Sequence, residues 1–186
     1  MVKLVLGVAG TIGAGKDTFT NYIKEKYNFQ IISMGDLVRE EAKQLGMLED
    51  RETLQDLANK RRAEFGIGYW ARKAAKKISE SKHELFAING MRTPADVSSP
   101  KKVFGDKFKL LLLDATPETR FKRLKARKRL GDPKTLAEFK KQEEREWKLF
   151  DFKKTITFAD FKIENEVHGH ENFYKQIDEL IAKLLH

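Results

Sequence analysis

The amino-acid sequence predicts an α/β fold in which five parallel strands form one sheet with helices on both faces. Short apolar runs alternate along the chain with amphipathic stretches, which is the pattern of repeated strand–helix–strand units. The runs are apolar almost throughout, as expected for strands that are buried on both faces. With 186 residues and no Gly/Ser/Pro-rich linker, the chain is expected to form a single domain over residues 1–186.

Five runs are the expected strands. They lie at residues 4–8 (LVLGV), 29–33 (FQIIS), 85–88 (LFAI), 108–113 (FKLLLL) and 161–163 (FKI). Ligands of a parallel sheet bind beyond the carboxyl ends of its strands. The functional site is therefore expected in the polar segments that follow these runs.

The stretches between the strands have apolar residues at helical spacing. They predict helices over residues 17–27, 36–45 and 173–185, and a longer helical region over 51–79 that is interrupted near residues 66–68. Three further helices are expected to begin after Thr93, Thr116 and Thr135, because threonine is a good N-cap and the first two are followed by proline.

The composition excludes several classes of site. The chain has no cysteine, so disulfides, thiolate catalysis and cysteine-based zinc sites are ruled out. Its four histidines show no metal-binding spacing apart from the triplet at 168–170 (HGH), which we expect in a loop. No apolar run reaches the roughly 20 residues of a membrane span, and the N-terminus lacks the features of a signal peptide. We therefore expect a soluble, cytoplasmic protein with no membrane partner.

The formal net charge of +9 suits a protein that binds polyanions. Basic residues are interspersed with acidic ones, as in EEREWK and KQIDEL, and form no long basic tail. This distribution favours small phosphate ligands over a nucleic-acid surface, although it leaves RNA open as a partner.

A glycine-rich segment connects the first strand to the first helix. It consists of Gly10, Thr11, Ile12, Gly13, Ala14, Gly15, Lys16, Asp17 and Thr18. Glycines allow successive backbone N–H groups to point at phosphate oxygens, the helix adds its positive N-terminal end, and Lys16 supplies a charge for the β- and γ-phosphates. The spacing is that of a P-loop, or Walker A motif, so this segment is predicted to bind the phosphates of a nucleoside triphosphate.

Asp17 departs from the usual P-loop pattern, because many P-loops have at that position the Ser or Thr hydroxyl that binds Mg²⁺. A carboxylate beside a triphosphate is repulsive unless it reaches the metal or turns away. Asp17 is thus either the residue that organises Mg²⁺ or a first-turn acid that complements the helix dipole. The sequence supports both roles equally.

Two arginines follow strand ends near the predicted phosphate loop. Gly35, Asp36 and Arg39 come after the second strand, and Gly90 and Arg92 come after the third. Two guanidinium groups that converge on one anion form a strong clamp. Taken singly, each arginine is expected to be a solvated helix residue; taken together, Arg39 and Arg92 could hold a second phosphate, that of an acceptor.

Residues 119–130 (TRFKRLKARKRL) follow the fourth strand and contain seven basic side chains. Residues 131–133 (GDP) then end this helix, and the next helix carries Arg145. The segment is either a solvated basic face or a mobile lid over about 123–146 whose arginines reach the transferring phosphoryl group. The nearby P-loop favours the lid.

Together these segments resemble the P-loop nucleoside monophosphate kinase family, which includes adenylate kinases and dephospho-coenzyme A kinases. Family members carry GxGKGT, S-x-GDLLRE, GFPR and ERLxxR, and the matching stretches here are GAGKDT, SMGDLVRE, NGMRTP and KRLKAR. The chain also resembles a poorly characterised branch with GDVVRE, DGIR, DPKTWEEF and AD-x-x-x-N segments, for which it has GDLVRE, NGMR, DPKTLAEF and ADFKIEN. The similarity spans nearly the whole length.

The resemblance implies a role for each matching residue. Donor phosphates would bind to Gly10, Gly13, Gly15, Lys16 and Thr18, and the acceptor phosphate to Arg39 and Arg92. Arg123 would cover the donor base, the loop after Asn165 would pass the adenine, and residues 36–80 would form the acceptor-binding insert. Lys16, Arg92 and the lid arginines Arg127 and Arg145 would be the catalytic residues.

Three departures from the family affect the expected site. The proline of GFPR is absent, and the loop after Asn165 reads EVHG. Asn89 stands where relatives often have an aspartate that holds Mg²⁺ through water. If Asn89 does not hold the waters of the metal, we expect Asp17 to take over that duty.

The favoured function is therefore an ATP- and Mg²⁺-dependent kinase that transfers the γ-phosphoryl group to a nucleoside monophosphate or related nucleotide. Dephospho-coenzyme A is a second acceptor class, whose hydroxyl would need a base such as Asp36. A rival of another class is a nucleotide-dependent RNA-binding or assembly factor, with the Lys-rich stretch 72–77 in its RNA surface.

Overall fold

All five predicted strands lie in one parallel sheet. In a computed structural model that describes residues 1–127, 132–166 and 170–185, apart from the side chain of Arg51, they are β1 (Leu4–Ala9), β2 (Gln30–Ser33), β3 (Leu85–Met91), β4 (Phe108–Asp114) and β5 (Phe161–Glu164). Their order across the sheet is β2-β3-β1-β4-β5, and each neighbouring pair is parallel. The predicted fold class is confirmed.

β1 is the central strand, and all six of its residues are buried. Gly7 lies in its middle, where a Cβ would come within 2.5 Å of Sδ of Met91 and 2.8 Å of Cζ of Phe108. Side chains from both neighbouring strands therefore pack across Gly7. Since β1, β3 and β4 run in the same direction, the segments that follow them meet at one edge of the sheet.

Helices cover both faces of this sheet. In chain order they are α1 (Lys16–Tyr27), α2 (Met34–Gln44), α3 (Arg51–Phe65), α4 (Tyr69–Ser79), α5 (Pro94–Phe104), α6 (Pro117–Arg127), α7 (Leu136–Phe150), α8 (Phe152–Ile156) and α9 (His170–Leu185). Phe19 of α1 and Phe173 of α9 belong to the apolar core on one face. Leu37 of α2 and Trp70 of α4 belong to the core on the other.

Most helix boundaries lie within a few residues of the expected ones. α2 begins two residues before the expected start because Ser33 Oγ caps it, accepting a hydrogen bond of 3.4 Å from the backbone N–H of Asp36. The predicted helical region 51–79 is divided at Gly66, which follows the last residue of α3 and has a φ of +89°. The short helix α8 has no counterpart among the predicted elements.

The cap of α5 determines the position of the segment that follows β3. Thr93 Oγ1 accepts a hydrogen bond from the N–H of Asp96 at 3.1 Å, and Asp96 Oδ2 accepts one from the N–H of Thr93 at 2.9 Å. The same Asp96 oxygen also accepts a 3.0 Å bond from the N–H of Arg92. This capping box holds the backbone of Arg92 directly at the end of the strand.

Two predicted features lie outside the described residues. They are the basic side chains and helix break at 128–131, within the expected lid, and the loop at 167–169, which includes most of the HGH triplet. Within the described parts of the chain, no helix has both the length and the apolar character needed to cross a membrane.

Candidate nucleotide and phosphoryl-transfer site

The segment between β1 and α1 has the backbone conformation of a phosphate-binding loop. Gly13 and Gly15 have φ values of +83° and +96°, in a region that side chains other than glycine rarely adopt. A Cβ on Gly13 would lie 2.9 Å from the carbonyl oxygen of Arg120. The loop therefore needs glycine at both positions, for conformation and for space.

Lys16 lies across this loop. Its Nζ donates hydrogen bonds to the carbonyl oxygens of Gly10 at 2.9 Å and Thr11 at 3.0 Å. Burial, followed by the positive charge of Arg92, lowers the pKa of Lys16 from 10.5 to about 8, while the charges of Asp17 and Glu146 oppose this shift. The ammonium group is thus short of anionic partners, as expected for a lysine that receives a phosphate.

A cavity of about 680 Å³ opens above the loop. Apart from Ala14, which is buried beneath it, every residue of the loop from Gly10 to Thr18 lines this cavity. Arg92, Arg123, Arg127 and Asn165 line it as well. The structure therefore brings the predicted donor-site residues and three of the predicted arginines together in one space.

Hydrogen bonds of Asn165 and Arg123 connect the phosphate loop to the end of β5 and to α6. Asn165 Nδ2 donates a 2.9 Å hydrogen bond to the carbonyl oxygen of Ala14. Arg123 Nη2 donates to the backbone oxygen and Oδ1 of Asn165 at 2.9 and 3.1 Å, and its Nη1 donates to the carbonyl oxygen of Gly13 at 3.3 Å. Both residues thus hold the phosphate loop in place as well as lining the cavity.

Arg127 is held at the mouth of the cavity by Asp132. Its Nη2 and Nε donate to the two carboxylate oxygens of Asp132 at 2.6 and 2.8 Å. This bidentate pair raises the pKa of Arg127, so its charge is kept at any physiological pH. Arg127 is therefore fixed in orientation near the loop.

The predicted acceptor residues are divided between two places. Arg92 lines the cavity, whereas Arg39 donates to Asp36 Oδ1 at 2.6 Å and both of these side chains are more than half exposed. The separation of three residues along α2 places Arg39 over Asp36 on the solvent side. A Cβ placed on Gly35 would lie 3.5 Å from Nη1 of Arg39, and one placed on Gly90 would lie 3.7 Å from Cβ of Met34. Neither glycine joins Arg92 among the residues that line the cavity.

The predicted catalytic role of Arg145 is not supported by its position, because Arg145 does not line this cavity. It is exposed and borders a separate shallow depression with Lys141 and Lys148. Its neighbours on α7, Glu146, Trp147 and Phe150, are the residues that face the phosphate loop. One position along a helix rotates a side chain by about 100°, which is enough to turn Arg145 away.

The basic helix α6 contains a structural arginine that the pattern alone did not reveal. Arg120 is buried, donates from Nε to the carbonyl oxygen of Ala115 at 2.8 Å, and forms an ion pair with Glu143 of α7. The stripe at residues 143, 146, 147 and 150 is the sequence signal that would have identified the inner face of α7.

Comparison with known proteins shows the family of this chain. Residues 9–140 match the protein family described as AAA domain. A UPF0200 protein of Pyrococcus abyssi is 31% identical over 186 residues, covering 98% of both chains. A UPF0200/UPF0201 protein of Archaeoglobus fulgidus is 34% identical over 97% of this chain, which spans only 55% of that relative's length.

Solved structures share the fold at low identity. A shikimate kinase of Acinetobacter baumannii, in complex with shikimate, aligns with a TM-score of 0.62 and 14% identity, over 98% of this chain and 94% of that one. A gluconokinase of Sinorhizobium meliloti aligns with a TM-score of 0.58 and 10% identity, over 98% and 93%. The fold is thus that of P-loop kinases, and the chain belongs both to the family described as AAA domain and to the UPF0200 proteins.

Proposed function

We propose that this protein is an ATP-dependent phosphotransferase that moves the γ-phosphoryl group of ATP to the phosphate of a nucleoside monophosphate or related nucleotide. The observation that carries the proposal is the convergence of Lys16, Arg92 and Arg127 on one cavity above a phosphate loop. The kinase-type fold supports it, although fold alone does not assign a substrate.

The proposed catalysis depends on positioning and on charge. The loop N–H groups and Lys16 would hold the donor phosphates, while Arg92, which lines the same cavity, would hold the acceptor. An acceptor phosphate oxygen is already nucleophilic and needs no strong base. Arg127 would neutralise charge that develops on the transferring group, and such preorganised charges are typically the main source of rate acceleration in phosphoryl transfer.

Two oxygen-bearing side chains beside the loop fit the requirements of Mg²⁺. Asn89 Nδ2 donates a 3.1 Å hydrogen bond to Asp17 Oδ1, and the Oδ1 of Asn89 is buried without a hydrogen-bond partner among the described residues. Those residues contain no group of three or more metal-binding side chains. Mg²⁺ commonly keeps several waters and takes one carboxylate together with substrate phosphates. Asp17 would hold the metal and Asn89 one of its waters, and the metal would neutralise phosphate charge.

A panel of acceptors tests the proposed function. Ribo- and deoxynucleoside monophosphates, and dephospho-coenzyme A, are incubated with ATP and Mg²⁺ and the products are identified by mass spectrometry. Phosphorylation of a monophosphate, lost in Lys16→Ala and Arg92→Gln, is the expected result. ATP hydrolysis that RNA stimulates, with no phosphorylated acceptor, would instead support the assembly factor.

A hydroxyl acceptor such as dephospho-coenzyme A is the second candidate, and Glu146 is the observation that favours it. Asp36, the base expected from the sequence, pairs with Arg39 outside the cavity. Glu146 lines the cavity and its charge acts on Lys16. For a hydroxyl acceptor, Glu146→Gln would lower kcat by roughly 10²- to 10⁴-fold; for a phosphate acceptor it would leave kcat unchanged.

A further inference from the structure

The ring of Phe150, at the end of α7, is contacted by two guanidinium groups from different parts of the fold. Cζ of Arg92 lies 5.3 Å from the ring centroid, and Cζ of Arg62 lies 5.7 Å from it. Arg62 comes from α3, while Arg92 follows β3. Because Phe150 and Arg92 also line the nucleotide cavity, this meeting point borders the phosphoryl-transfer site.

The protein balances the charges at this point only in part. Within the described residues, neither guanidinium has an ion-pair partner, and the Nε of Arg62 is buried without a hydrogen-bond partner. Burial lowers the pKa of Arg62, the charge of Asp96 opposes the shift, and the charge of Arg92 lowers it further. Asp96 uses its Oδ2 to cap α5, and its Oδ1 has no hydrogen-bond partner among the described residues. Arg92 is exposed, whereas Arg62 is partly buried. A partly buried cation without an ion-pair partner is costly, so an anion that reaches both guanidinium groups is the expected complement.

Two other arginines of this region are paired with carboxylates. Arg61, the neighbour of Arg62 in α3, contacts Glu41 and Glu64. Arg39 contacts Asp36 at the surface. Arg62 and Arg92 differ from Arg61 and Arg39 by having no carboxylate partner among the described residues, and they share one aromatic ring that orients both groups.

We propose that Arg62 and Arg92 together form an anion-binding site for the phosphate of the acceptor, with Phe150 as the positioning residue and without Arg39. Two guanidiniums can each donate a pair of parallel hydrogen bonds to phosphate oxygens. Identifying the anion as the acceptor's phosphate rests on the proposed function, whereas the existence of the site does not. The acceptor's specificity would then depend on α3 and α7 together.

The site is tested with a simple anion while the P-loop is blocked. The full-length protein is saturated with a non-hydrolysable ATP analogue and Mg²⁺, and sodium sulfate is titrated at constant ionic strength while the melting temperature is followed. We expect saturable stabilisation in the wild type. Arg62→Gln and Arg92→Gln should weaken sulfate binding roughly 10- to 100-fold, the loss of about one charge-assisted hydrogen bond.

Arg39→Gln is the matched control, because it removes an arginine of the same region that is already paired. It should bind sulfate as the wild type does. Arg62→Lys keeps the charge, should fold even if Arg62→Gln does not, and should bind with intermediate affinity. Wild-type affinity in Arg62→Gln, or a loss confined to Arg39→Gln, would overturn the proposal.

Kinetics separate this proposal from the proposed function. With an active acceptor, Arg62→Gln should raise the KM for the acceptor at least 10-fold while the KM for ATP stays unchanged. If no acceptor is phosphorylated but sulfate binding still depends on Arg62 and Arg92, the anion site stands and the transferase function fails. If phosphoryl transfer occurs but its kinetics do not change in Arg62→Gln, the transferase function stands and the assignment of Arg62 to the acceptor-phosphate site fails.

Discussion

Asn165 packs so closely against the phosphate loop that its Nδ2 would lie 2.2 Å from a Cβ placed on Gly15. Gly15 also has a φ of +96°. Gly15→Ala should therefore introduce both a clash and backbone strain, and we expect it to lower the free energy of unfolding by about 2 kcal/mol or more. Urea denaturation measures this change, and ATP binding should be lost with it.

The double variant Gly15→Ala/Asn165→Ala separates the two effects. Removal of Asn165 relieves the clash but not the strained φ, so the double variant should be less destabilised than the sum of the single variants. Asn165→Ala alone should cost about 1–2 kcal/mol through its lost hydrogen bonds to Ala14 and Arg123. Strict additivity would show that the two residues do not contact each other.

The affinity for ATP should fall as the pH rises above about 8, because Lys16 has a pKa lowered to about 8. Phosphate binds the charged form, so binding raises this pKa and takes up a proton near and above pH 8. Calorimetry in EDTA, in two buffers of different ionisation enthalpy, measures both the affinity and the proton uptake between pH 7 and pH 9.5.

Lys16→Arg provides the control for this titration, since arginine stays charged across the range. If it still binds ATP, its affinity should not depend on pH there. Arg92→Gln should move the loss of affinity to higher pH, because the charge of Arg92 contributes to the lowered pKa of Lys16. An affinity that is constant to pH 9.5 in the wild type would contradict this account.

Asp17→Ala should reduce activity mainly by raising the Mg²⁺ concentration that is required, by roughly 10-fold for a lost carboxylate ligand. Asn89→Asp should have the opposite effect, because it places a second carboxylate beside Asp17. Magnesium titrations of the reaction rate at saturating ATP measure both changes. If the dependence of the rate on Mg²⁺ is unchanged in Asp17→Ala, Asp17 does not hold the metal, and its role is that of a first-turn acid that complements the dipole of α1.

Glu41 should stabilise the packing of α2 against α3 and α4. Burial tends to raise its pKa, but hydrogen bonds from Lys73, Arg61 and Tyr69 outweigh this and lower the pKa below 4.5. Glu41→Gln should reduce the free energy of unfolding by about 1–3 kcal/mol at pH 7, since both basic partners are partly exposed.

The contribution of Glu41 to the free energy of unfolding should disappear at low pH. A lowered pKa stabilises the folded state above the usual value of about 4.5, and this stability is lost as the pH falls through the folded-state pKa. The difference between the wild type and Glu41→Gln in urea should therefore shrink between about pH 5 and pH 3. A difference that is constant over this range would exclude the ionised carboxylate as its cause.

Local signals in the sequence were sufficient to predict the fold and the position of the phosphate loop at the end of β1. Continuous apolar runs identified the strands because both faces of this sheet are covered, and threonine caps marked the starts of helices because capping acts over three residues. The residues of the phosphate loop are adjacent in the chain, so their spacing alone predicted where they would meet. Arg92 was also indicated by its position after a strand, and Arg123, Arg127 and Asn165 by the resemblance to the nucleoside monophosphate kinase family.

The acceptor side depended on tertiary structure. Arg39 follows a strand as Arg92 does, yet helix geometry turns it towards Asp36 and solvent. Arg145 was predicted as a catalytic residue of the lid, whereas Glu146 and Phe150 of the same helix line the cavity. Arg62 gave no signal at all, because its meeting with Phe150 joins residues 88 positions apart in the chain. Charge and periodicity predict which residues are polar and how they repeat, whereas the packing of α3 and α7 against the sheet decides which of them share a site.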